Sequence, residues 1–366
     1  MSNIENRKRE HVEFALSEGS QGRRSALWED VHLVPVSVPD MGPADVDLSV
    51  DFLGHRLSTP LVISGMTGGH ARAVEINRNL AVAAEELGLA IGTGSQRAAL
   101  KDPDLVGTYS VVRTHAPAAF VIGNIGMSQL ISQEGESPMG RDEIDRAVSM
   151  IDADALAVHL NAVEELVQPE GDRNMRDLSG GIVNAVRWSP VPVIAKETGA
   201  GMARETALRL AETGVAALDV GGAGGTSFAR IEALRADAIG DTTGVRIGRT
   251  FGDWGVPTAV SLLEAGSAGL PLIGTGGVRN GLHAAKAMAL GASLVGIGGP
   301  FIRAALDGPG AVIAEARLVL EELRVAMVLT GVRDVQGLRR LQPVLVGRAA
   351  EWVASRGGTR STRPRQ

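Results

Sequence analysis

Eight short apolar segments recur along the chain, and an amphipathic stretch follows most of them. Apolar runs of this length, separated by segments of helical period, predict βα units with a parallel sheet. Eight such units in a row favour one closed (β/α)8 TIM barrel of the α/β class, with an open doubly wound sheet as the alternative. The predicted strands are Leu61–Ser64, Leu89–Thr93, Ala119–Asn124, Ala155–Leu160, Val191–Lys196, Ala216–Val220, Leu270–Gly274 and Ser293–Ile297.

The remaining segments predict additions at both ends of the barrel. Residues 1–58 are interpreted as a helix, a loop and a hairpin, and residues 59–310 as the barrel. Residues 311–354 are predicted to form C-terminal helices packed on the barrel, Ala311–Leu329 and Val335–Ala354, and residues 355–366 a basic flexible tail. The clearest predicted barrel helices are Ala71–Leu87, Arg141–Ile151, Met202–Thr213, Pro257–Ala265 and Gly281–Leu290.

Composition excludes several classes of protein. The chain of 366 residues has no cysteine, so disulfides, thiolate metal sites and cysteine nucleophiles are ruled out, and a reducing, cytoplasmic location is expected. A net charge of −6 argues against general nucleic-acid binding. The first residues contain no apolar signal core, and no apolar run is long enough for a membrane span, so we expect neither export nor membrane insertion.

Glycine-rich or polar runs follow nearly every predicted strand. In a TIM barrel these runs share the face that carries the chemistry, and the loops after the last two strands usually bind phosphate. No GxGxxG or GxxxxGK[ST] motif is complete, which disfavours a dinucleotide fold or a P-loop. The glycine surfaces instead suggest a flat phosphorylated cofactor such as FMN, with Lys196 beside the negative edge of its reduced ring. An ion pair with Glu197 or another neighbour is the alternative role for Lys196.

The run His159–Asp172 places a histidine, an amide and several acids directly after a strand. Together with basic residues elsewhere, it suggests a second anionic site that clamps a diphosphate. Glu165 is the candidate Mg²⁺ ligand, because Mg²⁺ is usually held by one or two carboxylates plus phosphate oxygens and water. The other residues assigned to this site are Arg7, Lys8, His11, Ser95, Arg97, His159 and Asn161.

These motifs together resemble the type 2 isopentenyl diphosphate isomerases, across roughly residues 5–350. The resemblance implies an FMN- and Mg²⁺-dependent barrel enzyme, a tetramer or octamer, that interconverts isopentenyl and dimethylallyl diphosphate by flavin-assisted proton transfer. It also implies that NAD(P)H reduces the flavin. The motifs are RKREH (7–11), MTGG (66–69), GSQR (94–97), HLNAVEELVQPEGD (159–172), KETG (196–199), GAGGTS (222–227), WGVPTA (254–259), GGVRNG (276–281) and ALGA (289–292).

The resemblance implies a role for each matching residue. The catalytic candidates are Glu164, Lys196 and His159, and the Mg²⁺ ligand is Glu165. The expected FMN contacts are Met66, Thr67, Gly68, Ser95, Asn124, Lys196, Thr226, Gly276, Arg279, Gly298 and Gly299. The expected substrate contacts are Arg7, Lys8, Ser95, Arg97, His159, Asn161 and Glu164.

Three positions depart from the family pattern. Glu164 stands where the family has a glutamine with a part in proton transfer, and a carboxyl group can exchange a proton where an amide cannot. Ala203 replaces a serine, and His283 replaces an aspartate, which exchanges an anion for a titratable cation. A relative acting on a modified prenyl diphosphate and a non-catalytic FMN- or prenyl-phosphate-binding barrel therefore stay open as alternatives.

Other FMN barrels are weaker alternatives. The His/Arg signature of 2-hydroxy acid oxidases and dihydroorotate-type dehydrogenases is not found in the sequence. A mechanism like that of inosine monophosphate dehydrogenase needs a cysteine, which the chain does not have.

Overall fold

Eight parallel strands close into a barrel in which each strand pairs with the strands before and after it in the sequence. The structure is a computed structural model that describes residues 10–357. The predicted site residues Arg7 and Lys8 lie outside the described residues, as does the predicted tail from residue 358 onward. The barrel strands are β1 (Leu61–Ile63), β2 (Ala90–Gly92), β3 (Val121–Gly126), β4 (Ala155–Leu160), β5 (Val193–Glu197), β6 (Ala217–Asp219), β7 (Leu272–Gly274) and β8 (Leu294–Ile297).

The strands are apolar on both faces because side chains fill the barrel inside and helices cover it outside. In β4, for example, every residue from Ala155 to Val158 is buried. The closed TIM barrel predicted from the sequence is confirmed, and the open sheet is excluded. Segment positions agree throughout, and the strand bounds differ by at most two residues.

Helices alternate with the strands around the outside of the barrel. Ala71–Leu87 has the predicted bounds, because Gly88 takes the left-handed conformation (φ +62°) that ends a helix. The other barrel helices are Arg97–Lys101, Gly107–His115, Arg141–Ser149, Ala162–Val167, Leu178–Trp188, Arg204–Glu212, Phe228–Ala238, Thr242–Thr250, Thr258–Ala265, Gly281–Ala289 and Gly299–Asp307.

The C-terminal region corrects one prediction. Pro309–Leu329 matches the first predicted helix, but the predicted second helix, Val335–Ala354, is divided. It consists of Val335–Arg340, the short strand Val344–Leu345, and Gly347–Ser355. Pro343 explains the break, since proline disfavours helical backbone at the residue before it and cannot donate a helical hydrogen bond.

Two small antiparallel pairs flank the barrel. Val50–Phe52 pairs with His55–Leu57, which confirms the predicted hairpin. Val31–His32 pairs with Val344–Leu345 and so joins the N-terminal region to the C-terminal helices. The division of the chain at residues 58 and 310 stays a prediction.

The segment Gly22–Trp28 lies against the loops after β6 and β7. The Gly22 N–H donates to the Gly225 carbonyl (2.9 Å), and the Trp28 indole N–H donates to the Gly277 carbonyl (3.1 Å). The Trp28 ring also stacks on His283, with the ring centroids 5.8 Å apart. The N-terminal segment thus supports two of the glycine loops, and the sequence analysis assigns the second of them, after β7, to phosphate binding.

His283 corrects another expectation. Burial, together with the charges of the nearby Lys286 and Arg279, lowers its pKa to about 4. The imidazole is therefore neutral near pH 7 and serves as a packing partner for Trp28, so the expected titratable cation is wrong.

Ala203, the second departure, is the N-cap residue of Arg204–Glu212 and offers no side-chain hydrogen bond. A serine hydroxyl there would accept from a free N–H of the first helical turn. We predict that Ala203→Ser raises the free energy of unfolding by about 1 kcal/mol. Urea denaturation followed by circular dichroism measures this, and an unchanged or lower value would contradict it.

Candidate active site

A cavity of about 380 Å³ opens at the C-terminal ends of the barrel strands. It is lined by the described residues to which the sequence assigned a role, so these residues do meet at one place. Their individual roles stay predictions. The residues are His11, Met66, Thr67, Gly68, Ser95, Arg97, Asn124, His159, Asn161, Glu164, Glu165, Lys196, Thr226, Gly276, Arg279, Gly298 and Gly299.

The floor of the cavity is set by strand register. His159 of β4 lies opposite Lys196 of β5, which in turn lies opposite Asp219 of β6. The Lys196 ammonium lies 3.1 Å from an Asp219 carboxylate oxygen and donates to the Glu197 carbonyl at 3.2 Å. Lys196 therefore does form an ion pair with a neighbour, which was the alternative role. Because Lys196 also lines the cavity, this ion pair does not prevent it from lying beside a flavin.

Asp219 has no sequence motif, and the sequence analysis missed it. It is 5% exposed and also accepts hydrogen bonds from the Thr275 hydroxyl and the Gly221 N–H. One signal could have identified it. Asp219 is an acid at the end of an apolar predicted strand, next to the predicted strand that ends in Lys196.

Glu197, the last residue of β5, is a second buried acid that the sequence analysis left without a role. Burial raises its pKa to about 7, although hydrogen bonds from Ala200, Gly199 and Thr198 and the charge of Lys196 each lower it. Its carboxyl group therefore titrates near neutral pH inside the cavity wall.

A hydrogen bond orients His159. The Asn124 amide nitrogen donates to the Thr93 carbonyl (3.0 Å), so its oxygen faces His159 Nδ1 at 2.9 Å and accepts from it. Nδ1 thus carries a proton, as a hydrogen bond of this kind fixes the tautomer.

Glu165 is buried near the outer part of the cavity. It accepts hydrogen bonds from the Asn161 amide (2.9 Å) and the Asp172 backbone N–H (2.8 Å). Asn161 Oδ1 and Gln168 Nε2 are buried without a hydrogen-bond partner among residues 10–357. Unsatisfied buried polar atoms are costly, so their presence beside an acid fits a polar ligand such as a hydrated cation with a phosphate.

Glu164 faces His11 of the N-terminal helix. His11 Nε2 is 2.7 Å from Glu232 Oε1, and His11 Nδ1 is 3.9 Å from Glu164 Oε1. Ligand atoms of the three residues lie within 4.8 Å of one another, so they also offer a possible cation position. Glu232, which is fully buried in a helix, is a further residue that the sequence analysis missed.

Arg97, a predicted diphosphate ligand, already has anionic partners. Its guanidinium contacts Asp172 at 2.8 Å and Glu136 at 2.7 Å. Burial alone would lower its pKa, but the two carboxylates outweigh burial and the pKa is raised. Arg97 Nε has no partner among the described residues, so one donor remains for an incoming anion.

The glycine loops form a surface with no room for side chains. Gly276 has φ +104°, and a Cβ there would lie 2.1 Å from the Gly222 carbonyl oxygen. After the neighbouring strand β8, Gly299 begins the helix Gly299–Asp307, whose N-terminal N–H groups attract phosphate. This cradle fits a flat cofactor that carries a phosphate, as FMN does.

Comparisons of fold and sequence agree with this fit. Residues 182–343 match the FMN-dependent dehydrogenase family. A lactate oxidase from Pediococcus acidilactici (TM-score 0.63, 16% identity, 92% of this chain and 87% of that one) shares the fold, as does a mandelate oxidase (TM-score 0.60, 19% identity, 93% and 98%). Fold and site define an FMN-dependent TIM-barrel enzyme.

Curated relatives narrow this class. Proteins named isopentenyl-diphosphate delta-isomerase match at 44% identity in Methanosarcina mazei (96% of this chain, 94% of the relative) and in Archaeoglobus fulgidus (96% and 99%). Another, from Halobacterium salinarum, is 45% identical over 96% of both chains. The chain belongs to the type 2, FMN-dependent isopentenyl-diphosphate delta-isomerase family and is an isomerase. Within residues 10–357, no helix is long and apolar enough to cross a membrane.

We predict that Gly276→Ala lowers FMN affinity by at least tenfold, because the added methyl group would overlap the Gly222 carbonyl and displace the loop. Gly291→Ala is the matched control. Gly291 has a similar φ of +111° but no atom within 4 Å of an added Cβ. Equilibrium titration with FMN measures both proteins, and equal losses of affinity would show that backbone strain alone is responsible.

We predict that Glu197→Gln flattens the pH dependence of stability between about pH 4.5 and 7. In this window the unfolded state loses the Glu197 proton while the folded state keeps it, so this group makes the native protein less stable as pH rises. Urea unfolding at several pH values measures how the free energy of unfolding changes with pH in the two proteins. The same slope in variant and native protein would contradict it.

Proposed function

We propose that the protein interconverts isopentenyl and dimethylallyl diphosphate, using Mg²⁺ together with FMN that NAD(P)H keeps reduced. The observation that carries the proposal is the pairing of two sites in one cavity. The glycine cradle fits the cofactor, and the unsatisfied polar atoms of Asn161 and Gln168 beside Glu165 fit a metal-bound diphosphate.

FMN would be held by the residues assigned to it, with its phosphate on the Gly276 loop and the Gly299 helix terminus. When bound and reduced, it supplies an acid/base group beside the alkene, without net redox change. Lys196 would hold its fixed positive charge at the ring edge. Asn124, which orients His159, would lie between the cofactor and the substrate.

The diphosphate would bind between His159, Asn161 and Arg97, with Glu165 on Mg²⁺. Arg97 exchanges part of its contact with Asp172 for a phosphate oxygen, a charge-assisted bond of similar strength. The diphosphate lies far from the reacting carbons, so it anchors the substrate. The free energy of binding it can offset the cost of orienting and desolvating the alkene.

Proton transfer is the demanding step, because protonating an unactivated alkene gives a tertiary cation. The donor must lie close to the carbon in a site from which water is excluded. Glu164, which replaces the family glutamine, would be the proton donor in this protein. His11 Nδ1 lies 3.9 Å from its carboxyl oxygen Oε1.

Glu164 also favours a second candidate function, the isomerisation of a modified prenyl diphosphate. A carboxyl group has nearly the shape of the amide it replaces, but it changes the charge and the hydrogen-bond donors of the substrate pocket. We further propose a cytoplasmic homo-oligomer, a tetramer or octamer, with no nucleic-acid or membrane partner.

We predict that Glu164→Ala lowers kcat for isopentenyl diphosphate by about 100-fold, the usual contribution of a general acid or base. The assay is anaerobic, with FMN, NADPH and Mg²⁺, and follows dimethylallyl diphosphate. Glu134→Ala, at an exposed acid, is the control. Near-normal turnover by Glu164→Ala would refute the role of Glu164.

The same assay separates the remaining alternatives. A native protein that stays colourless with FMN would overturn the flavin proposal. A yellow protein that forms no product would favour a changed substrate or a non-catalytic binding protein. A gain of isomerase activity in Glu164→Gln would show that the natural substrate or reaction differs from that of the family.

A further inference from the structure

The Glu197 side chain makes a set of hydrogen bonds in the cavity wall that none of the roles above explains. One of its carboxylate oxygens, Oε2, accepts hydrogen bonds from four successive backbone N–H groups. The donors are Thr198 (2.6 Å), Gly199 (2.7 Å), Ala200 (2.6 Å) and Gly201 (3.2 Å).

Successive N–H groups that converge on one point form an anion-binding nest. In this loop the nest is filled by the chain's own acid, so it is not a phosphate site. Gly199 (φ +141°) and Gly201 (φ +72°) supply the backbone conformations that turn the four N–H groups inward.

The curled loop is fixed from outside as well. The Ala200 carbonyl accepts from the Val256 N–H (2.7 Å), and the Gly201 N–H donates to the Gly221 carbonyl (3.0 Å). A Cβ on Gly201 would lie 2.3 Å from the Val256 carbonyl oxygen, so the loop has no space to move outward. The side chain of Glu197 and the wall of the barrel therefore hold the loop in one path.

This path determines where the Glu197 backbone carbonyl points. The carbonyl accepts from the Lys196 ammonium at 3.2 Å, and Asp219 contacts the same ammonium at 3.1 Å from the neighbouring strand. Two anchors are needed because a lysine side chain has four rotatable bonds. Asp219 is the acid in contact with Lys196, and the titratable His159 lies opposite Lys196 on β4.

We propose that Glu197 is a positioning residue for Lys196: by filling the nest it aims its own carbonyl at the ammonium and so fixes the cation at the cofactor edge. The part of the inference that concerns the cofactor rests on the proposed FMN function. The part that concerns Lys196 does not, and it can be tested without FMN.

The first test follows Lys196 directly in the protein without flavin. The chain has only four lysines, so labelling lysine with ¹³C at Cε gives few NMR signals, and Lys196→Arg identifies the one that matters. In Glu197→Ala we expect the Lys196 signal to move and broaden. Glu197→Gln keeps an acceptor oxygen and should restore the signal to near its native position.

The second test measures the midpoint potential of bound FMN at pH 6. At this pH the Glu197 carboxyl is largely protonated, so alanine removes the acceptor with little change of charge. We expect a more negative potential in Glu197→Ala, because reduced flavin loses a fixed cation, and an FMN affinity about tenfold lower. Glu197→Gln should retain the native potential.

Glu264→Ala is the matched control, since Glu264 is also a buried acid (2% exposed) that accepts a backbone N–H, from Arg204 at 2.8 Å. It should lower the melting temperature and leave the Lys196 signal and the potential unchanged. If Glu197→Ala does not fold, Glu197→Asp, whose shorter side chain cannot reach all four N–H groups, should displace the Lys196 signal.

An unchanged Lys196 signal in the folded Glu197 variants would overturn the proposal. The same holds if Glu264→Ala shifts the signal equally, because Glu197 would then act only through general stability. A native protein that bound no FMN would refute the proposed function alone, and the Lys196 signal would still decide the role of Glu197.

Discussion

The ion pair between Lys196 and Asp219 joins the ends of two neighbouring barrel strands at the floor of the cavity. Both groups are largely buried, and removing one partner of such a pair typically costs about 3–5 kcal/mol because it leaves an uncompensated charge. The pair exists only because β5 and β6 have one register, which a closed barrel enforces. The register of β4 with β5 likewise places His159 opposite Lys196.

Charged groups in the cavity wall are balanced in two places. At the cofactor end, Lys196 is balanced by Asp219, and glycine backbone provides the remaining surface. Elsewhere in the cavity wall, Glu164 and the buried Glu232 lie beside His11, and Arg235 balances Glu232 at 2.7 Å. The Mg²⁺ proposed at Glu165 would lower the repulsion between this acid and the adjacent Glu164 before a diphosphate binds.

Much of the architecture is predictable because strand and helix periods are strong and local. Ala71–Leu87 is predicted to the residue, since its apolar stripe ends at a glycine. Val335–Ala354 is predicted as one helix because its apolar spacing continues across Pro343. The glycine loops and the His159 run are recognised because each is a compact motif.

Asp219 and Glu232 could not be found in this way. Asp219 is a single acid in an apolar strand, Glu232 is one of several charged residues in its helix, and the role of each depends on a partner that the fold brings from far along the chain. Glu197 belongs to a visible motif, but its four backbone contacts depend on the path of the loop after it. Roles that depend on tertiary contacts therefore cannot be predicted from local sequence patterns.

The contacts of Gly22–Trp28 have a consequence for how the protein matures. This segment is synthesised before its partners, the Gly225 and Gly277 carbonyls, which follow about two hundred residues or more later in the chain. The cofactor cradle is therefore one of the last parts to gain its support. The two glycine loops have this support only when β7 has closed onto the barrel and Gly22–Trp28 has docked over the loops after β6 and β7.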